Sequence, residues 1–396
     1  MFRIICVYMC SSVAKLALLL TACVACAAEP EFVDVFKPGK DADGYPAIRI
    51  PSLIVAKNGT VLAFAEGRQS LRDQSANKIV LKRSSDNGKT WSAIETIAAD
   101  GENCLNNPCA VVEQVTGRIF LMYQFYPAGL SEKNAMLLPG VDGPNVLRNF
   151  VMHSDDNGAT WSKPLDITKS AKRPERVTTL ASGPGIGIQL TRGAHAGRLL
   201  IPFNEGPYYH WNVYAVFSDD EGETWRMGDV APGAHVANPK GGAAGAEISL
   251  VNEVQFVELS DGSVMLNSRR WAGKPVRKTS VSANGGETWL PITDAPELND
   301  PGCMGSILRY RFAQGDSPGV LLYSGSDSSK RANGTIYASF DDGKTWPAKR
   351  VLVPGAFAYS VLTVLPDGTA GCLYEADDYK RIVFARFSLG WIIVEK

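Results

Sequence analysis

The chain has 396 residues, 45% apolar and 20% charged, and its 38 Gly and 23 Pro interrupt regular structure too often for long helices, coiled coil or collagen. Its 40 Lys and Arg nearly cancel its 41 Asp and Glu, so a net charge of −1 supplies no general field for nucleic acid or an anionic membrane. An anionic partner must be met by a local cluster of cations.

At the N-terminus, Arg3 and Lys15 precede an apolar run from Leu16 to Ala28 that is too short to span a bilayer but suits a signal-peptide core. Residues 1–28 therefore read as a leader and 29–396 as one mature domain. Two processing outcomes stay open: cleavage after Ala27, where Ala25-Cys26-Ala27 fits a small-x-small rule, or lipidation at Cys23, where Leu20-Thr21-Ala22-Cys23 resembles a bacterial lipobox. Export is expected, to the periplasm, the medium or a lipid-anchored place at the cell surface. The only expected membrane link is that lipid. Cys104, Cys109, Cys303 and Cys372 remain in the mature chain, too scattered for a disulfide scaffold or a zinc site.

An octapeptide with Ser at position one, Asp at three, Gly at five and Thr-Trp at seven and eight occurs five times. The copies start at Ser84, Ser154, Ser218, Ser282 and Ser339, in steps of 70, 64, 64 and 57 residues, and only the fourth departs, with Asn284 for Asp. Asp folding back on backbone amides, Gly at positive φ and a packing Trp make a rigid hairpin tip; each copy has too few carboxylates for a calcium loop. A fainter repeat, a turn Gly before a short apolar strand, begins at Gly59, Gly117, Gly197, Gly262, Gly319 and Gly368. Six units of roughly 61 residues, each with room for four short strands, predict an all-β, six-bladed β-propeller rather than a TIM barrel.

Successive turns of an antiparallel meander fall on opposite rims. In the first unit the strand from Arg49 to Lys57, the turn at Gly59, the strand ending near Arg68 and the loop carrying Asp73 put these ionisable residues on the rim opposite the octapeptide. The same rule places Asn107, Asn204 and Glu205, Glu253 and Arg269, Arg331, and Tyr359 and Glu375 on that rim in later units. Arginines from separate blades converging on one axial cavity make a pocket for a small anion, most naturally a carboxylate held by guanidinium forks.

The segments AIRIPSLI (47–54), FAEGRQSLRD (64–73), GPGIGIQL (183–190), NEVQFVELSDGSVMLNSR (252–269), YSVLTVLPDG (from 359) and GCLYEADDYKRIVFARF (from 371), with the octapeptides, resemble the exo-α-sialidase (neuraminidase) family of bacteria and animals along nearly the whole mature chain. The resemblance implies that Arg49, Arg269 and Arg331 form the triad gripping the sialic acid carboxylate, that Tyr359 is the nucleophile and Glu253 its activating carboxylate, and that Asp73 is the general acid/base. Glu375 matches the residue that orients the first arginine, and Arg68 a further pocket arginine. Arg270, next to Arg269, should face the other side of its strand. Asn107-Pro108-Cys109 stands where some relatives carry an acidic residue near the N-acyl group. The cluster Tyr208, Tyr209, His210 and Trp211 is suited to stacking on a glycerol tail or an aglycone sugar, or to plain packing.

The chemistry fits the residue types. Sialic acid carries its carboxylate on the anomeric carbon, so a carboxylate nucleophile would approach against like charge, whereas a tyrosine deprotonated by a nearby base would not. The expected activity is retaining hydrolysis of terminal α-linked sialic acid from glycoproteins, glycolipids and oligosaccharides, by a monomer that needs no metal or other cofactor. Transfer to another sugar, intramolecular trans-sialidation and a non-catalytic sialoglycan-binding propeller are the alternatives.

Overall fold

The structure, a computed structural model, describes residues 28–39, 42–238, 240 and 245–393. The expected leader, Cys23 included, lies outside the described residues apart from Ala28.

Short apolar runs divided by turn glycines give antiparallel strands, with one parallel exception. The first meander comprises Ala47–Val55, Val61–Arg68, Lys78–Ser84 and Glu95–Ala98. Gly59 makes its first turn at a φ of 89°, in the left-handed region that glycine enters without steric cost. The second uses Cys104–Val112, Ile119–Tyr126, Arg148–Ser154 and Leu165–Asp166; the third uses Thr179–Ser182, Leu199–Gly206, Asn212–Ser218 and Arg226–Met227. Its inner edge is broken: Gly185–Ile186 crosses over to pair in parallel with Cys104–Val112. The fourth meander is Val251–Glu258, Val264–Arg270, Val276–Ser282 and Thr293–Asn299.

The last two meanders share one seven-stranded sheet. The strand Ala348–Val364 pairs through its first half with Ala332–Ser339 and through its second half with Ala370–Ala376, so no turn divides these two repeat units. A further strand, Glu31–Phe36, completes the sixth meander by pairing with Arg381–Phe387, Glu31 opposite Arg386. Divided within that long strand, the described sheets comprise one two-stranded ribbon, His235–Ala237 with Glu247–Ser249, and six meanders. Their inner strands lie against one another in chain order, and Ala47–Val55 packs against Ala348–Val364, which closes the ring of a β-propeller.

The second strand of the first meander, Val61–Arg68, is buried along its whole length, as is Ile119–Tyr126 in the next. Burial of each large apolar side chain contributes roughly 1.5–3 kcal/mol. The octapeptides share one hydrogen-bond pattern on the far rim: Ser84 Oγ donates to Asp86 Oδ1 at 2.7 Å, Thr90 Oγ1 to Asp86 Oδ2 at 2.6 Å, and Gly88 N to Ser84 Oγ at 2.9 Å. Asn284 keeps the geometry but reverses one bond, its Nδ2 donating to Thr288 Oγ1 at 3.0 Å. The Trp of one tip packs edge-on against the neighbouring meander, as Trp161 does on Phe64 and Trp225 on Phe120.

Candidate active site

Four inner strands lose register at corresponding places: between Arg49 and Ser52, Asn106 and Cys109, Val251 and Val254, and Phe357 and Ser360. A bulge breaks the alternation of a strand and re-aims a side chain. Here the bulges accompany Arg49, Asn107, Glu253 and Tyr359, all of which line one axial cavity of about 280 Å³. Ile50 at a φ of 60° and Asn107 at 51° are left-handed bulge residues. For a β-branched residue this conformation costs of order 1–3 kcal/mol. Ile50 is held there by its own burial and by its N–H, which donates to Glu375 Oε1 at 2.8 Å.

At the cavity floor the Tyr359 hydroxyl lies 2.6 Å from Glu253 Oε1 and 2.8 Å from Oε2, donating its proton to that carboxylate. Arg269 Nη1 donates to the same hydroxyl at 2.9 Å and to Glu253 Oε2 at 2.7 Å. Burial pushes the Tyr359 phenol well above its ordinary pKa, Arg269 opposes the shift, the Glu253 charge adds to it, and Arg331 and Arg49 also oppose it. The phenol therefore stays protonated at rest, with the Glu253 carboxylate as its acceptor. Arg269 also has a buried Nε with no hydrogen-bond partner, a donor left over for an anion.

Arg49 and Arg331 flank the same ring, each guanidinium carbon 5.3 Å from the Tyr359 ring centroid. Arg49 is fixed by a fork to Glu375, Nε to Oε1 at 2.9 Å and Nη2 to Oε2 at 2.7 Å. Burial alone would lower the Arg49 pKa, but the Glu375 carboxylate more than reverses it. Arg331 is held by the Tyr379 hydroxyl and the Gly302 carbonyl, both at 3.0 Å.

Arg68, fully buried, reaches Glu66 Oε2 from Nε at 2.7 Å and Asp73 Oδ1 from Nη1 at 3.1 Å. Glu66 has no exposed surface; it also accepts from Asn77 Nδ2 and Asn106 Nδ2, each at 3.2 Å, and from Asn107 N at 2.6 Å. Burial raises the Glu66 pKa and Arg68 counters it. The two Asn amides also bond to the Asp73 carbonyl, at 2.6 and 2.8 Å, so the main chain of the loop is clamped while the Asp73 side chain remains 60% exposed.

All eight residues singled out from the sequence thus meet on one rim, seven lining the cavity and Glu375 directly behind Arg49. Arg270 turns away to Asp300, its Nε donating to the main-chain carbonyl oxygen there at 2.8 Å. Asn107 and Asn204 line the cavity, while Glu205 points instead to Arg173 at 3.0 Å. Of the aromatic cluster, Tyr208 and Trp211 reach the cavity, joined by Trp271, two residues beyond Arg269. The strand period could have identified Trp271. Glu132 and Lys133 also line it, from the loop between Ile119–Tyr126 and Arg148–Ser154, where no periodic pattern exists to read. Burial, with the nearby Asp73 charge, pushes the Glu132 carboxyl up to about 7. Cys104, Cys109, Cys303 and Cys372 are buried free thiols.

Residues 59–372 match the model of the BNR repeat-like domain. The chain is 36% identical over 382 residues to a sialidase of Micromonospora viridifaciens, covering 92% of this chain and 55% of that protein. It is 32% identical over 375 residues to sialidase-2 of Cricetulus griseus, covering 87% and 92%. The chain thus spans about half of the first relative and most of the second. Among solved structures it resembles a Hadza microbial sialidase, with a TM-score of 0.76, 28% identity and coverage of 89% and 68%. The intramolecular trans-sialidase of Ruminococcus gnavus gives 0.77 at 21% identity, covering 92% and 98%, a likeness of fold alone. Fold and site define a BNR-repeat propeller with an arginine-lined axial pocket. The chain belongs to the sialidase family of glycoside hydrolases.

Proposed function

We propose that this protein is a retaining exo-α-sialidase that hydrolyses terminal α-linked sialic acid from glycoproteins, glycolipids and oligosaccharides with Tyr359 as nucleophile. The observation that carries this reading is one phenol hydroxyl held between a carboxylate, Glu253, and a guanidinium, Arg269, with two further guanidiniums beside its ring. Arg49, Arg269 and Arg331 take the substrate carboxylate and fix the anomeric carbon over the phenol. Glu253 removes the phenolic proton as the oxygen attacks that carbon. The glycosidic C–O bond breaks while Asp73 gives its proton to the departing oxygen. Asp73 then takes a proton from water, whose oxygen attacks the anomeric carbon; the phenolate leaves and recovers its proton from Glu253. Two inversions yield net retention.

The test is turnover of a fluorogenic α-sialoside by the purified protein and by Tyr359→Phe, with NMR of the anomer first released. Loss of turnover in a folded variant and initial release of the α-anomer are expected; undiminished turnover by Tyr359→Phe overturns the reading. Binding without turnover in the parent protein would favour the non-catalytic alternative, and an anhydro or transferred product would favour a trans-sialidase. The proposal extends to export, with cleavage after Ala27 or a lipid on Cys23, and to a monomer; the mass of the mature N-terminus and sedimentation velocity test these two points.

A further inference from the structure

A second cavity, of about 450 Å³, opens between the 71–74 loop of the first meander and the 129–133 loop of the second. It shares Asp73, Gln74, Glu132 and Lys133 with the axial cavity, so the two are continuous. We propose that this cleft receives the leaving group, and that Arg72 in its wall favours a leaving group that is itself anionic, a second sialic acid. The inference rests on the sialidase reading above.

The direction follows from Asp73. A group that protonates the departing oxygen must stand between the sialic acid and the rest of the substrate, and the space beyond Asp73 is this cleft. Its preference follows from the cations. Arg49, Arg68 and Arg269 are each paired with a carboxylate, from Glu375, Glu66 and Glu253. Lys133 lies over the Tyr208 ring, 5.5 Å from its centroid. Arg72 is exposed and, among the described residues, has no carboxylate partner. An unpaired guanidinium presents a planar fork to a carboxylate, and a neutral sugar offers it nothing comparable. The Glu132 carboxyl is pushed up to about 7, chiefly by burial and then by the Asp73 charge, so near neutral pH it sets less than a full negative charge against Arg72 and Lys133.

The experiment compares kcat/KM of the full protein and of Arg72→Gln on three substrates: a fluorogenic sialoside, 3′-sialyllactose, and an α2,8-linked sialic acid dimer, whose leaving group carries its own carboxylate. Arg72→Gln is expected to lower kcat/KM on the dimer about tenfold, within the worth of one charge-assisted hydrogen bond, and to leave the other two unchanged. Arg72→Lys should recover part of the loss, and added salt should narrow the gap because the contact is exposed. An equal effect on all three substrates, no effect on the dimer, or a parent protein that cleaves the lactoside but not the dimer overturns the inference. A parent protein that cleaves none of them overturns the sialidase reading on which it rests.

Discussion

The Tyr359 hydroxyl touches both oxygens of Glu253, at 2.6 and 2.8 Å, although 106 residues separate them in the chain. Both sit beside strand bulges, in meanders that do not adjoin. A phenol raised above its ordinary pKa by burial cannot ionise freely near neutrality, so its reactivity depends on that contact. Glu253→Gln should lower kcat by on the order of 10²–10⁴-fold, the usual worth of a general base. Steady-state kinetics on a fluorogenic sialoside measure this, and a loss confined to KM would contradict the assignment.

Glu375 neutralises Arg49 in a setting that exposes 9% of the arginine side chain and none of the carboxylate. Glu375→Ala leaves a buried guanidinium uncompensated and frees the Ile50 amide. Destabilisation of about 3–5 kcal/mol is expected from breaking such a pair. Urea denaturation followed by tryptophan fluorescence reads it directly, and a cost under about 1 kcal/mol would show that Arg49 finds water or another partner.

Glu66 acts on Asp73 through Arg68 and two asparagine amides, and touches no substrate. Glu66→Gln preserves shape but removes the charge opposite Arg68, so the loop should loosen and kcat fall about tenfold, one lost charge-assisted contact, with KM nearly unchanged. The telling readout is the alkaline limb of the kcat/KM pH profile, which should move to lower pH because Asp73, which must hold a proton to protonate the leaving group, would then face an Arg68 with no other carboxylate. A merely structural residue would lower stability without moving that limb.

Glu132 gives the fold a pH dependence of predictable sign. Its carboxyl is raised to about 7 in the folded chain, above its ordinary value, so the folded state holds a proton that the unfolded state releases. Stability should fall as pH rises from about 4.5 through 7, and Glu132→Gln should flatten that part of the curve. Melting temperatures of both proteins across that range are the measurement; parallel curves would refute it.

Much of this site was legible because rim membership depends on strand direction, and turn glycines with octapeptides mark direction plainly. Arg49, Arg269 and Tyr359 could be placed on one rim by counting turns. Their approach within a few ångströms could not, because it depends on bulges that have no sequence marker beyond an Asn at 107. Glu132 reaches the pocket from a loop without period, and only tertiary packing brings it there. The unbroken strand from Ala348 to Val364 has no marker in the sequence, since a Pro-Gly pair such as Pro354-Gly355 is ordinarily a turn signal, yet here the chain passes straight on from one partner to the next. Glu31–Phe36 alternates too weakly to announce itself, and its partner lies at the far end of the chain.

That terminal pairing makes the ring a clasp. Glu31 and Arg386 meet across 355 residues, so the sixth meander stays one strand short until Glu31–Phe36 docks on Arg381–Phe387. Loop closure of that length is among the slowest steps open to a β protein. The seam also runs through the pocket: Arg49 belongs to the first meander, while Tyr359 and Glu375 belong to the sixth. Unfastening the clasp strips the edge strand from the sixth sheet and loosens the seam that Arg49 and Glu375 bridge, so the pocket should be the last feature gained in assembly and the first surrendered.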